Sequence, residues 1–410
     1  MVFDRQAIEC GLVRLWRAKP LTVHVSTGVG TRTTPTTAYA REQVIARPQR
    51  MQPIDAARGI AMLLVCVSHV RIHFAEIAPT LYFVLTSITR IATPTFLLLS
   101  GFVAAFVLSK PDRRIRLTLI DRGLFVLIAG HLLLNLDELR VVNPQDWIFG
   151  RVTVTDAIAI CLMCAVALHR LSAKALATVG VCLGLISFPI SMTLSFDSPV
   201  ARYVGAALFD LQSEASPLID AAIAPYLGVF LIGMALSKHS LAALRTGDFE
   251  HVARYLVRSA AIALGVVAVA IVGWIAFKSS VASETDTMSL VRNAIDPRMK
   301  LPPSPGYLLF YCGCGLLVTA CCLTGRPRTL MQPLIAWAST LGRASLMCFV
   351  VQDWLLLLIP SVFQFEDFDS IAFWLLYLCC AIFVLHWIAH KWDANRCNRY
   401  LSVGLRHLKR

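Results

Sequence analysis

The chain has 410 residues, of which 57% are hydrophobic and 15% charged, with a mean hydropathy of +0.67. Soluble domains carry about 25% charged residues, so a soluble globular enzyme, a disordered protein and a fibrous repeat are excluded and a polytopic membrane protein remains. The formal charge of +13 belongs with that class, because Lys and Arg there fix orientation and meet anionic headgroups rather than nucleic acid.

Residues 1–53 hold eight Lys or Arg and a Thr-rich stretch, TGVGTRTTPTTAY. No apolar run follows a basic start, so the segment does not read as a secretory signal. It reads as a flexible cytoplasmic tail, with a transit peptide or an over-long start as alternatives. From Ile54 onward, apolar runs approach the about 20 residues that a helix needs to cross a bilayer. They cover roughly 54–74, 91–109, 118–136, 154–170, 175–195, 219–237, 258–277, 306–325, 343–362 and 372–391. The expectation is an all-α membrane bundle of about ten transmembrane helices over residues 54–391. A basic tail follows at 392–410, and 80–90 reads as a separate interfacial helix before the second span.

Charge placement sets the orientation. With the N-terminus inside, the inner segments, 326–343 among them, hold 27 Lys or Arg and the outer segments nine. Arg58 and Arg122 lie within spans. The last outer loop, QFEDFDS, carries three acids and no base, so Glu366, Asp367 and Asp369 read as solvated. This bias expects both termini in the cytoplasm. Most of the thirteen cysteines sit in apolar runs, where Cys acts as a small hydrophobe. The Cys161–Cys164 pair has no second pair at zinc-like spacing, so no metal site is expected. No fixed-period repeat and no matching pair of broken spans is visible.

Ionisable groups inside spans mark sites or paired structural charges. The first span, IDAARGIAMLLVCVSHVRIHF, places Arg58 near its inner end and His69 past its middle. Eleven steps of about 100° end about 20° past three turns, so both point from one helix face, about 16 Å apart along the axis. Snorkelling by Arg58 and an interhelical hydrogen bond from His69 form the structural alternative. His73, one turn beyond His69, is the rival histidine. Arg90 opens the second span, RIATPTFLLLSGFVAAFVLSK, with Ser100 at its middle. The third, RRIRLTLIDRGLFVLIAGHLLLNL, has Arg113 and Arg114 at its basic start, an Asp121–Arg122 pair near the inner surface, and His131 and Asn135 toward the outside. Such basic helix ends suit phosphates, and an ordinary positive-inside loop is the better account of Arg113, Arg114 and Arg116 taken singly. Gln352 and Asp353 lie within the ninth span; Tyr311 and His386 read as packing residues.

These motifs recur in a fixed order: R-x10-H, TPTFLLLSGF, a basic loop followed by RG, LPPSPGYLLFYCG before the eighth span, and LGRASLMCFVVQDWLLL in the ninth. The set resembles the transmembrane acyltransferases over most of residues 54–362. That superfamily includes the acyltransferase-3 proteins, the periplasmic-glucan succinylation membrane protein and the heparan-α-glucosaminide N-acetyltransferase-like proteins. Gln352-Asp353 stands where the acyltransferase-3 pattern has a His. The resemblance implies transfer of an acyl group, acetyl or succinyl-like, from cytoplasmic acyl-CoA to a hydroxyl or amine of an extracytoplasmic carbohydrate. It implies that Arg58 and His69 are the functional pair.

The residue chemistry agrees, because imidazole titrates near neutral pH and a basic inner vestibule suits the phosphates of CoA. On this reading His69 is the catalytic base. Arg58, Arg90, Ser100, Arg113, Arg114 and Arg122 meet acyl-CoA, acetyl-CoA being the first choice. Asp353, Gln352 and His131 face the acceptor. No permanently bound cofactor is expected, the setting is a bacterial inner membrane, and homo-oligomerisation is left open. A transporter or flippase is the alternative, and a membrane scaffold a third reading.

Overall fold

The computed structural model describes residues 51–71, 78–135, 151–211, 218–219, 221–279, 285–324, 331–363 and 370–405. His73, the 1–50 tail and the acids Glu366, Asp367 and Asp369 lie outside the described residues.

Helix α1 (Gln52–Val70) begins with a proline and Asp55 in its first turn. The ring presets φ, and the carboxylate complements the helix dipole. Helix α2 (Pro79–Thr89) is separated from α3 (Ala92–Leu108) by a turn at Arg90 and Ile91, but the two together form one candidate span of 30 residues, Pro79–Leu108, rather than the separate interfacial helix expected at 80–90. Helix α4 (Arg113–Leu134) contains a π-helical turn at Val126–Gly130. Thr153 and Asp156 form a reciprocal capping box that opens α5 (Val154–Leu168). Ser172 caps α6 (Ala173–Thr193), and α7 (Pro199–Phe209) and α8 (Ile223–His239) follow. The short α9 (Leu241–Thr246) ends at Gly247, whose φ of 77° is open to glycine at no steric cost. Asp248 caps α10 (Phe249–Lys278), and α11 (Asp286–Ile295) precedes α12 (Pro305–Thr324). The chain closes with α13 (Met331–Arg343), α14 (Ser345–Asp353, continuing as a π-helical turn at Trp354–Leu358) and α15 (Ile371–Ala394). One two-residue parallel pairing joins Arg151–Val152 to Leu218–Ile219.

Among the described residues, seven helices are long and apolar enough to cross a membrane. The bent pair Gln332–Arg343 and Ser345–Leu358 makes up to eight. Val154–Leu168 and Ile223–His239 are shorter apolar helices. The protein is a helical, multi-pass membrane protein. One expectation is corrected. Residues 326–343 read as an inner loop, yet Met331–Arg343 is helical and meets the next helix at 79°. Of the three arginines that suggested a loop, Arg343 is paired within the fold, its Nε donating to Asp393 Oδ2 at 2.7 Å.

Glycines decide how closely the helices approach. A Cβ on Gly59 would overlap the Ala338 carbonyl, and one on Gly342 would overlap that of Asp55, so α1 and α13 touch backbone to backbone. Gly101 and Gly233 do the same for α3 and α8 against Phe230 and Leu98. Small residues at interfaces let membrane helices gain dispersion contacts where no hydrophobic drive separates protein from lipid. Helix α1 serves two apolar clusters. Its Ile54, Ala56 and Ala57 join the cluster of α3, α5, α8 and α12, while Met62, Val65 and Cys66 join that of α13, α14 and α15. On α10, Ile262, Val269 and Val272 are all more than 60% exposed. An apolar side chain so exposed on a spanning helix faces lipid.

Candidate active site

Helix α1 lies beside α14 and the end of α13, and three successive contacts join it to them. Gly342 seats on the backbone of Asp55 and Gly59. Arg58 Nη2 donates to Ser345 Oγ at 2.6 Å. His69 Nδ1 stands 3.6 Å from Asp353 Oδ1. The R-x10-H and GR-x-SL motifs are thus one interface, with Arg58 at one end and His69 at the other. Arg58 Nε is buried with no hydrogen-bond partner among the described residues, and such a donor is costly unless a ligand answers it.

His69 and Asp353 open onto a cavity of about 250 Å³. Its wall also includes Arg71, Arg90, Arg151, Lys300, Thr93 and Thr153. Arg71 is held in place, donating from Nε to Thr86 Oγ1 at 3.2 Å and from Nη1 to the Ser68 carbonyl at 3.3 Å. Lys300 immediately precedes LPPSPGYLL. There Ser304 caps α12, accepting from Tyr307 N at 2.9 Å, and Tyr307 donates its hydroxyl to the Arg90 carbonyl at 3.4 Å. Asp296, in the loop before that segment, is pushed up by burial, but the Arg298 guanidinium and backbone N–H outweigh this and hold it below the usual carboxylate range.

Behind the Thr153 wall lies a second histidine–carboxylate pair. His131 Nδ1 donates to Asp156 Oδ2 at 2.9 Å, and Asn135 Nδ2 donates to His131 Nε2 at 3.1 Å. Asp156 Oδ2 also accepts from Thr153 N and Oγ1. This histidine has both ring nitrogens engaged and braces the cavity wall. The π-helical turn of α14 meets the end of α4 here too, Trp354 Nε1 donating to the Leu133 carbonyl at 2.8 Å. Such turns are frequent beside functional sites.

The structure therefore gathers His69, Asp353 and Arg90 in one cavity, with His131 just behind it. Arg58, Ser100, Gln352, Arg113, Arg114 and Arg122 are not among its lining residues. Gln352 is buried and donates to the Phe349 carbonyl of its own helix at 3.0 Å. Ser100 is half-buried on α3, and Arg113, Arg114 and Arg122 are exposed on α4. The expected Asp121–Arg122 pair is corrected. Asp121 is buried and accepts from Ser402 Oγ and, at 2.9 Å, from Leu405 N, so it anchors the C-terminal segment. Tyr311 packs on Tyr307 and His386 stacks on Trp337, as expected of packing residues. Sequence reasoning missed Arg71, Arg151, Lys300, Thr153, Asp156 and Ser345. The T-x-x-D capping signature was legible, whereas the three cations come from separate loops and carried no local signal.

The family model described as an acyltransferase domain, acyltransferase-3, matches residues 52–390. The chain belongs to the acyltransferase-3 family. No curated protein and no solved structure matches it. This acyltransferase keeps its Arg58 and His69 on one face of a family helix, and the matched region contains every residue of the cavity.

Proposed function

We propose that this membrane acyltransferase moves an acetyl or succinyl-like group from cytoplasmic acyl-CoA to a hydroxyl or amine of an extracytoplasmic carbohydrate. The observation that carries the reading is the Arg58–His69 face of α1, with a buried unsatisfied guanidinium donor at one end and a histidine–carboxylate pair on a cavity at the other. Counting the bent pair and the two shorter apolar helices as spans gives ten, which supports both termini in the cytoplasm of a bacterial inner-membrane protein. In this orientation the Arg58 end faces the donor and the His69 end the acceptor.

Arg58 is a planar multi-donor that would meet a phosphate or the thioester carbonyl. Arg113, Arg114 and Arg122 would attract the CoA head from the exposed surface of α4. Ser100 and Arg90 remain candidates for contact with the donor arm as it reaches the cavity. The acceptor oxygen or nitrogen attacks the thioester carbon while His69 takes its proton. The C–S bond breaks, and the proton returns to the departing CoA thiolate. Asp353 faces the imidazolium that forms and holds the ring in position. The apolar helix packing around this path would exclude water and limit hydrolysis of the thioester.

The test is CoA release from acetyl-CoA by the purified protein with a surface-glycan extract as acceptor. Removing a positioned base costs about 10²–10⁴-fold in rate, so His69→Ala should lose detectable transfer while acyl-CoA still raises its melting temperature. His73→Ala is the control and should stay active. A dead His73→Ala beside an active His69→Ala would reverse the assignment. Solute movement without CoA release would favour a transporter.

A further inference from the structure

A second cavity, of about 300 Å³, lies where α8 ends and α10 begins. His239, His251, Arg254, Tyr255 and Arg258 line it, and it shares no lining residue with the His69 cavity. No carboxylate is among its lining residues. The acids nearest in sequence are Asp248 and Glu250. Asp248 caps α10, accepting from His251 N at 3.0 Å, and Glu250 forms no ion pair with Arg254 or Arg258. Neither arginine makes a hydrogen bond or ion pair among the described residues. The His239 ring stacks on Tyr255 with centroids 4.4 Å apart, which joins the two helix ends and gives the cavity an aromatic wall.

The face of α10 that carries these cations continues as an apolar one. His251, Arg254 and Arg258 lie within about 60° of one another on the helical wheel. Ile262, Val269 and Val272 lie within about 40° of Arg258, and all three are more than 60% exposed. From Arg258 to Val272 this lipid-facing stripe runs about 21 Å along the axis. A soluble anion would use only the basic end of such a face. A phospholipid uses both ends, its phosphate meeting the guanidinium groups and its acyl chain the apolar stripe. We infer that this cavity is a site for the headgroup of an anionic phospholipid in the leaflet at the basic end of the bundle. Basic pockets between membrane helices on the cytoplasmic side suit anionic headgroups, and 238–258 is one of the basic segments read as inner. The phosphate gains charge-assisted, fork-shaped hydrogen bonds from Arg254 and Arg258. Bound there, it ties the end of α8 to the start of α10. The inference does not depend on which acyl donor or acceptor the His69 cavity serves.

The test is thermal stabilisation of the detergent-purified full chain by phosphatidylglycerol, phosphatidylcholine with the same acyl chains, inorganic phosphate and CoA, at low and high salt. Phosphatidylglycerol should bind about tenfold or more tightly than phosphatidylcholine, and that preference should shrink with salt. Arg254→Gln with Arg258→Gln should abolish the preference. Lys110→Gln with Lys174→Gln removes two exposed cations that do not line the cavity and should keep it. Equal binding of the two lipids by the wild type would overturn the proposal. So would equal loss of preference in both double variants, which would reduce the effect to net charge. Stabilisation by CoA or inorganic phosphate that the arginine variant loses, while its lipid preference persists, would assign the cavity to a soluble anion and also overturn it. If the arginine variant fails to fold, native mass spectra of the wild type decide. Phosphatidylglycerol should then stay bound through detergent exchange in the presence of CoA, and its displacement by CoA would sink the inference.

Discussion

At the scale of single residues, the proposed function divides the labour between two ends of one helix. Arg58 has a specific partner, Ser345 Oγ at 2.6 Å, and a buried donor left over. Arg58→Lys keeps the charge and loses the fork, so it should raise KM for acyl-CoA and still cut kcat/KM about tenfold or more. Unchanged kinetics in steady-state assays would mean Arg58 only anchors the helix. Asp353 faces His69 at 3.6 Å. Asp353→Asn keeps shape and removes charge, so kcat should fall about tenfold or more with KM little moved, because in the proposed mechanism the imidazolium is met in the transition state. A KM effect alone would make Asp353 an acceptor ligand instead. His69 and Arg58 were legible because their spacing is a property of one helix. Asp353 was legible only as an intramembrane charge, since its partner lies 284 positions away.

At the scale of elements, backbone contact does what side chains cannot. Gly59 and Gly342 bring α1 against α13 and the start of α14, and this sets the register of Arg58 on Ser345 and His69 on Asp353. Gly59→Ala and Gly342→Ala should each destabilise by about 1–3 kcal/mol or more, the range for overpacking. The expected readout is a lower melting temperature in detergent together with lost transfer. Gly265→Ala is the control: a Cβ there meets nothing within 4 Å, so it should be neutral or stabilise by up to about 1 kcal/mol. Equal behaviour of all three would remove the close-approach argument. Helix existence was readable from apolar length. The helix at Met331–Arg343 was missed because its buried end, Ala338, Ser339, Thr340 and Leu341, mixes apolar with polar residues and holds no apolar run of membrane length.

At the scale of the whole molecule, orientation is tested by cysteine accessibility. Labels introduced at 110–116 and 391–405 should react from the cytoplasmic side, and labels at 285–300 from the outside. External labelling of the C-terminal segment would change the span count by one. Hydropathy and the Lys/Arg bias determined the class, the approximate number of helices and their expected orientation, because the bilayer acts on each segment separately. The ordered motifs determined the family for the same reason, each being local to one helix or turn. Convergence was decided only by tertiary structure. Arg71, Arg90, Arg151 and Lys300 share a cavity, and His131 braces its wall through Asp156 and Thr153. Those placements depend on glycine-set helix distances and on the registers they impose, quantities that no single segment of the chain carries.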